Sequence, residues 1–283
     1  VTRLWADGKF ITVTGSGYEP HGEFLNGDQK IDFKAYRGVG TALWIGALNN
    51  DAQLELSGES DGKPTYRIVG DPTEGSILVA AEKAGTSVEE LQKAYPRVQE
   101  IPFDSERKRM LTIHAIKQPV DDDISPFTSA DREKGYIIAV KGAPDVVLNL
   151  CTHRLKMDND VEPMTEEARQ EILAANDAMT KDALRVLGVA YRIVPQMPED
   201  ITPEALEKDL IFAGLIGMID PARPEVKTAL AEAKTAGIRT IMITGDYPNT
   251  ARAIAEEIGL LEPGHQVLTG ADIEDKSEEE MRE

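Results

Sequence analysis

Lys141 sits in the run Val140-Lys141-Gly142-Ala143-Pro144-Asp145, after an apolar strand-like stretch (136–140) and before a helix-like one (146–150). Pro144 suits a first helical position, because its φ is already helical and its missing N–H would be unpaired there anyway. A lysine at a strand-to-helix junction, beside a glycine that lets another group approach closely, is either a ligand-binding ammonium or a surface lysine at a turn. Phe103 stands just ahead of Arg107, Lys108 and Arg109 in an otherwise acidic chain. An aromatic face stacks on a purine for roughly 1–3 kcal/mol, and nearby cations answer a triphosphate. The alternative makes Phe103 core and the cations a solvated hairpin tip.

Four further groups carry reactive or charged side chains. Glu74 follows Asp71-Pro72-Thr73 at a helix start; it can accept from an exocyclic amine or simply favour the positive end of the helix dipole. Arg185, in Leu184-Arg185-Val186-Leu187, is a cation at a strand start that either reaches phosphates or snorkels. Thr244-Gly245-Asp246 closes an apolar run, and in parallel α/β sheets the carboxyl ends of strands carry ligands. Asp246 there holds Mg²⁺ or a hydroxyl, or caps a helix. Asp220-Pro221-Ala222-Arg223-Pro224 places an acid and an arginine at a stiff joint; Arg223 pairs with phosphate bidentately or forms a surface ion pair in a linker.

The elements that must position these groups fall into two styles. Residues 1–33 alternate polar and apolar with glycines at the turns and read as hairpins. Residues 41–48 read as an apolar helix and 54–56 as a strand. Asp71 caps a helix with Pro72 at its first position, running to Gly85, and Ser87-Val88-Glu89-Glu90 is a capping box for the next, to Tyr95. Strands are expected at 101–103 and 110–116, a solvated loop at 117–134, a helix at 166–183 capped by Thr165, and strands at 184–194 and 210–219. Helices at 225–236 and 250–258, closed by Gly237 and Gly259, flank an apolar strand at 238–243. The first part has the pattern of an antiparallel sheet carrying helices, and the second that of a buried parallel sheet. Periodicity alone pairs 210–219 with 238–243.

At 283 residues the chain is long enough for about two domains. Hydrophobic content is 41% and charged content 29%, ordinary for a soluble protein. A net charge of −19, with acids spread along the chain, argues against nucleic acid and anionic membrane surfaces as partners. The single cysteine, Cys151, forms no internal disulfide, and the four histidines show no metal-ligand spacing, which fits a reducing, cytosolic setting. No apolar run approaches the ~18 residues of a membrane span. Both ends read as cut, the second within an acidic helix at 277–283, so a fragment is expected.

Taken in order, Asp71-Pro72-Thr73-Glu74, Phe103 through Met110, Lys141-Gly142-Ala143-Pro144, Leu184-Arg185, Asp220-Pro221-Ala222-Arg223-Pro224 and Met242-Ile243-Thr244-Gly245-Asp246 closely resemble the large cytoplasmic loop of P-type cation-transporting ATPases, of the calcium-pump and sodium/potassium-pump branch. The resemblance covers nearly the whole chain. It implies an α/β (α+β) protein: a nucleotide-binding domain over residues 1–219, an antiparallel sheet flanked by helices, joined to a truncated haloacid-dehalogenase-like parallel phosphorylation domain over 220–283. It assigns the 210–219 strand to the first domain rather than to a sheet with 238–243. By the same resemblance Phe103 stacks on adenine, and Lys141 and Gly142 line the pocket with Glu74 and Lys108 around the base. Arg185 approaches the phosphates, Asp220 and Arg223 form the hinge, and Thr244, Gly245 and Asp246 belong to the phosphorylation site near Mg²⁺. The implied ligands are ATP and Mg²⁺. The implied partners in the intact protein are the membrane domain, the actuator domain and the rest of the phosphorylation domain.

The departures shape the expectation. The family's phosphorylated aspartate, in Asp-Lys-Thr-Gly-Thr, and its Gly-Asp-Gly-x-x-Asn-Asp motif are absent, as are membrane helices and the actuator's Thr-Gly-Glu segment. Ser105 stands where calcium pumps often carry an arginine. The expected protein is therefore the ATP-binding portion of a membrane cation pump, with calcium the ion suggested by branch, binding nucleotide weakly without turnover. Two rivals stand beside it. A soluble haloacid-dehalogenase-type phosphatase needs an Asp-x-Asp nucleophile followed by Gly-Thr, which is not found. A nucleotide-independent interaction module would give no response to ATP.

Overall fold

The computed structural model describes residues 1–15, 17–60, 63–119, 124–128, 135–182, 184–219, 224–244, 248–261, 265–269 and 272. Its contacts divide it into two compact units, Val1–Asp177 with Val186–Met218, and Ala178–Arg185 with Ile219–Glu283.

The first unit opens with β1 (Arg3–Ala6) and β2 (Lys9–Val13), joined by Asp7 and Gly8, both at positive φ (43° and 76°). Two positive φ values make the turn whose twist matches the flanking strands. β3 (Phe24–Asn26) and β4 (Gln29–Lys30) extend this meander. After α1 (Arg37–Leu48), β5 (Gln53–Ser60) and β6 (Lys63–Val69) form a separate two-stranded ribbon. α2 (Pro72–Lys83) and α3 (Val88–Ala94) lead into β7 (Arg97–Asp104), β8 (Arg109–Ala115) and β9 (Tyr136–Gly142). Then come α4 (Pro144–Asn149), β10 (Cys151–Leu155), β11 (Val161–Pro163), α5 (Glu166–Lys181), β12 (Arg185–Val194), α6 (Pro203–Leu206) and β13 (Leu210–Met218).

The main sheet has 11 strands, in the order β4-β3-β2-β1-β13-β12-β9-β8-β7, with β10 pairing β13 and β11. The β10–β13 pairing is parallel: Cys151 faces Leu210 and Arg154 faces Phe212. β13 lies inside this sheet beside β1, Leu4 facing Ile216. The continuous apolar run of residues 210–218 is thus explained by burial on both faces.

The core gathers on α1. From Gly38 to Leu48 every residue is buried, as expected of a helix apolar all round. Trp44 meets Tyr95 edge-on, with centroids 5.3 Å apart. At Gly46 an added Cβ would lie 2.7 Å from Ile216 Cδ1 and 3.0 Å from Ile77 Cγ2, so this glycine lets α1 settle onto β13 and α2. α2 begins as its sequence predicts: Asp71 Oδ1 accepts from the Thr73 and Glu74 amides at 2.7 and 3.3 Å, with Pro72 at the first position. For α3, Ser87 Oγ accepts from Glu90 N at 3.4 Å, and Glu82 Oε1 takes the Val88 amide.

In the second unit, α7 (Pro224–Thr235) ends at Gly237, φ 74°, and α8 (Pro248–Glu257) at Gly259, φ 77°. Both ends close with the paired back-bonds of a left-handed cap: Ile238 N to Ala233 O, and Leu260 N to Ala255 O. The strand expected at 238–243 is not formed. Ile238, Ile241 and Ile243 are 62, 71 and 92% exposed in irregular backbone. A strand needs a neighbour for its ladder and cover for its apolar faces, and among the described residues of this unit no complete strand is present to supply them. The joint at 220–223, including Asp220 and Arg223, and the acidic helix expected at 277–283 lie outside the described residues, as do Gly245 and Asp246.

Candidate functional site

Lys141 is not at the surface. It lies within β9, one residue before the strand ends, and is 5% exposed. Its ammonium reaches two acceptors. One is the backbone oxygen of Asn49, at 2.5 Å, just past the end of α1; the other is Glu74 Oε1, at 2.7 Å, in the first turn of α2. The last carbonyls of a helix are unpaired and carry its negative end, so a cation is well placed there. Burial nonetheless pulls the Lys141 ammonium below the ordinary lysine range, and Glu74 opposes that pull.

The surrounding polar atoms are bonded in turn, Asn49 Oδ1 excepted: it is buried with no hydrogen-bond partner. Glu74 Oε2 accepts from the Asp51 amide at 2.9 Å. Asn49 Nδ2 donates to the carbonyls of Met110 and Ala139, at 3.1 and 2.8 Å, tying the end of α1 to β8 and β9. Asn50 Nδ2 donates to Glu74 O at 2.9 Å. Arg97, at the start of β7, donates to Asp51 Oδ1, Glu100 Oε2 and Asn50 O, each at 2.6 Å. Asn49, Asp51 and Arg97 were not singled out by sequence reasoning. Asn49-Asn50-Asp51 carries a helix-stop signal, but nothing local points to a buried lysine as its partner.

Gly142 lets the β7–β8 turn close down beside Lys141. An added Cβ would stand 2.4 Å from Lys108 O and 2.8 Å from Arg109 Cα. Lys108 is exposed, at φ 55°; its N–H donates to Asp104 O at 2.6 Å, and its carbonyl accepts from Ala143 N at 3.0 Å. Asp104 Oδ1 holds the turn by accepting from Glu106 N and Arg107 N at 2.9 and 2.8 Å, and these bonds keep its carboxyl below the usual range.

Phe103 is not core. It is 64% exposed on β7, the edge strand. The β7–β8 register runs from Ile101 facing Leu111 to Asp104 facing Arg109, so β7 carries one extra residue where Pro102 and Phe103 lie. A proline fits an edge-strand bulge, having no N–H to pair, and bulges re-aim side chains. Met110 of β8 faces Lys141 of β9, so Phe103 stands two strands from Lys141, about 10 Å at ordinary strand spacing. The neighbouring arginines are not a solvated tip either: Arg107 and Arg109 both bond Glu207, whose side chain is 2% exposed.

The structure thus brings Glu74, Lys141, Gly142, Lys108 and Phe103 to one end of the sheet. Arg185 opens β12 and is exposed, and Thr244 is exposed in the second unit. Among the described residues, no group of three or more His, Cys, Asp or Glu is arranged to hold a metal ion, and no helix is long and apolar enough to cross a membrane.

Residues 39–225 match the family model described as P-type ATPase, cytoplasmic domain N. A calcium-transporting ATPase of Bacillus subtilis is 38% identical over 281 residues, covering 99% of this chain and 29% of the relative. Calcium-transporting ATPase 1 of Lactococcus lactis is 40% identical over 230 residues, covering 81% and 24%. The cation-transporting ATPase pma1 of Synechocystis is 37% identical over 269 residues, covering 93% and 27%. The chain therefore spans less than a third of the length of these relatives. With a family model across residues 39–225 and relatives matched along nearly its full length, the chain belongs to the P-type ATPase family.

Proposed function

We propose that this chain is the ATP-binding portion of a P-type pump and that the end of the sheet described above receives the nucleoside. The observation that carries the reading is Phe103: a large aromatic ring, 64% exposed at an edge-strand bulge beside a basic turn. Solvent exposure of such a ring costs apolar surface that a stacked purine would cover. Lys141 and Glu74 form the floor. Glu74, its side chain 16% exposed, keeps carboxylate lone pairs for an exocyclic amine, while Lys141 holds it in place. Lys108 offers an ammonium to the phosphates, joined by Arg185 in the intact protein.

Phosphoryl transfer is chiefly positioning and charge neutralisation, so a nucleotide-binding portion contributes by holding the triphosphate where the acceptor needs it. Residues 220–283, with Thr244, Gly245 and Asp246, read as part of a haloacid-dehalogenase-like phosphorylation domain, with Asp220 and Arg223 as its hinge. Magnesium arrives as the counter-ion of the triphosphate. The sequence contains no Asp-Lys-Thr-Gly-Thr, so the chain alone binds ATP without turning it over. The names of the Bacillus and Lactococcus relatives support calcium as the transported ion of the whole pump.

Calorimetric titration with ATP tests this. Saturable binding in the parent, weakened at least tenfold in Phe103→Ala by loss of stacking, is the expected result. A parent that gives no heat and no spectral shifts at millimolar ATP sinks the reading.

A further inference from the structure

Glu207 follows α6 and lies three residues before β13. Its carboxylate is buried, and both oxygens are taken by the tip of the β7–β8 hairpin, about a hundred residues away in sequence. Oε1 accepts from Arg107 Nη2; Oε2 accepts from Arg109 Nε at 2.8 Å and Nη2 at 2.5 Å. The remaining contacts lock the fork. Arg109 Nη1 donates to Arg107 O at 2.9 Å, and Arg107 Nη1 to Pro102 O at 3.4 Å, the carbonyl just before Phe103. A buried carboxylate persists where it is paired, and removing its charge leaves the partner cations without compensation. Between the two arginines the chain turns through Lys108 at φ 55°, so the middle cation of the three stays exposed.

We propose that Glu207 is the positioning residue of the nucleotide site: by gathering Arg107 and Arg109 it fixes the hairpin tip that presents Phe103, and it leaves Lys108 as the cation of that tip offered to a nucleoside triphosphate. The inference rests on the nucleotide reading above. It gives the arginines of the basic turn a structural task in place of the phosphate contact that their charge suggests. It also ties the stacking ring, through one carboxylate, to the segment that enters the buried strand β13.

The test compares the full 283-residue chain with Glu207→Gln, which keeps the side chain's shape, using adenosine and ATP as separate probes in NMR titrations. Adenosine reports the ring platform; ATP adds the phosphates. The expected result is a loss of roughly tenfold for both ligands by the same factor, about half of what a stacked base contributes. Amide exchange at residues 103–109 should accelerate while that of β1 and β2 does not change. In an Arg107→Gln/Arg109→Gln background, Glu207→Gln should add less than a twofold effect, because its partners are already gone. Affinities unchanged in Glu207→Gln overturn the proposal. So does ATP binding that strengthens while adenosine stays constant, since Glu207 would then only neutralise charge. An undiminished loss in the double-arginine background also overturns it. If Glu207→Gln does not fold, Arg109→Lys, which keeps the charge and loses the fork, gives the same adenosine readout. A parent chain that binds neither ligand refutes the nucleotide reading itself, and this proposal with it.

Discussion

Glu74 and Lys141 form an ion pair of 2.7 Å between the first turn of α2 and the interior of β9, with side chains 16 and 6% exposed. The pair is held from both sides: Lys141 also bonds the oxygen of Asn49, and Glu74 the amide of Asp51. Taking the ammonium out of water is costly, and the carboxylate offsets that cost. Lys141→Met should therefore destabilise the first unit by about 3–5 kcal/mol, because it leaves Glu74 and the Asn49 oxygen without their donor. The double variant Lys141→Met/Glu74→Gln should recover at least half of the loss, since neither charge is then buried alone. Urea melts of the three proteins decide it; a double variant no better than the single one would show that the pair is not the source of the cost.

His114 gives the fold a pH dependence of definite sign. It is 3% exposed on β8, with Nδ1 2.9 Å from Tyr95 O and Nε2 2.9 Å from Thr112 Oγ1. The carbonyl can only accept, so Nδ1 carries the proton and Nε2 receives the threonine hydroxyl. Burial lowers its pKa from 6.5 to about 4; the Tyr95 carbonyl opposes this and the Arg97 charge reinforces it. The unfolded chain therefore binds a proton in the window from 6.5 down to 4 that the folded chain refuses. Stability is full above about 6.5 and is lost as pH falls through the window. Between pH 7 and pH 5 this one histidine should remove about 2 kcal/mol of stability. His114→Gln should flatten that part of the curve, and equal slopes in parent and variant would assign the loss elsewhere.

Much of this site was legible locally. Asp71-Pro72-Thr73-Glu74 announces a capped helix start because its bonds close within three residues, and Asp71 makes them. Gly237 and Gly259 likewise end their helices by bonds to the preceding turn. The paired strands flanking 104–109 follow from the apolar runs at 101–103 and 110–116 on either side of a charged turn. What failed to show was whatever depends on distant chain. Lys141 reads as a junction lysine because its partners, Asn49 and Glu74, stand 92 and 67 residues earlier. Glu207 carries no local sign of being buried, since its arginines come from another hairpin. Phe103 is exposed because one extra residue at Pro102 re-aims the strand, and apolar patterning cannot foresee a one-residue bulge. Residues 238–243 have the composition of a buried strand, but composition does not supply the neighbouring strand on which such a segment depends.

Gly142 should tolerate no side chain. Its backbone is not in the left-handed region; the constraint is space. An alanine Cβ would meet Lys108 O at 2.4 Å and Arg109 Cβ and Cα at 2.6 and 2.8 Å. Backbone atoms cannot step aside as a flexible side-chain end can, so the β8–β9 pairing must spread. Gly142→Ala should cost about 1–3 kcal/mol, in the range of other overpacking substitutions. It should also displace the turn that bears Lys108, weakening ATP binding. Thermal unfolding together with an ATP titration checks both parts; a variant as stable as the parent would mean the turn moves freely.

Phe103 and Lys108 divide the nucleotide between them, and the division can be measured. Phe103 is largely exposed and packs little, so replacing it should change stability by no more than about 0.5 kcal/mol. Its ring acts through its face. Phe103→Trp should bind adenosine at least as well as the parent, Phe103→Leu less well because apolar area persists without a π face, and Phe103→Ala least, about 10–100-fold below the parent. Lys108→Ala removes a point charge and leaves the stacking platform, so adenosine affinity should hold while ATP affinity falls several-fold, and that fall should shrink as salt screens the phosphates. If Lys108→Ala weakens adenosine and ATP alike, the lysine shapes the turn rather than meeting the phosphates. If the aromatic series follows no order of ring size and face, adenine lies elsewhere on the sheet.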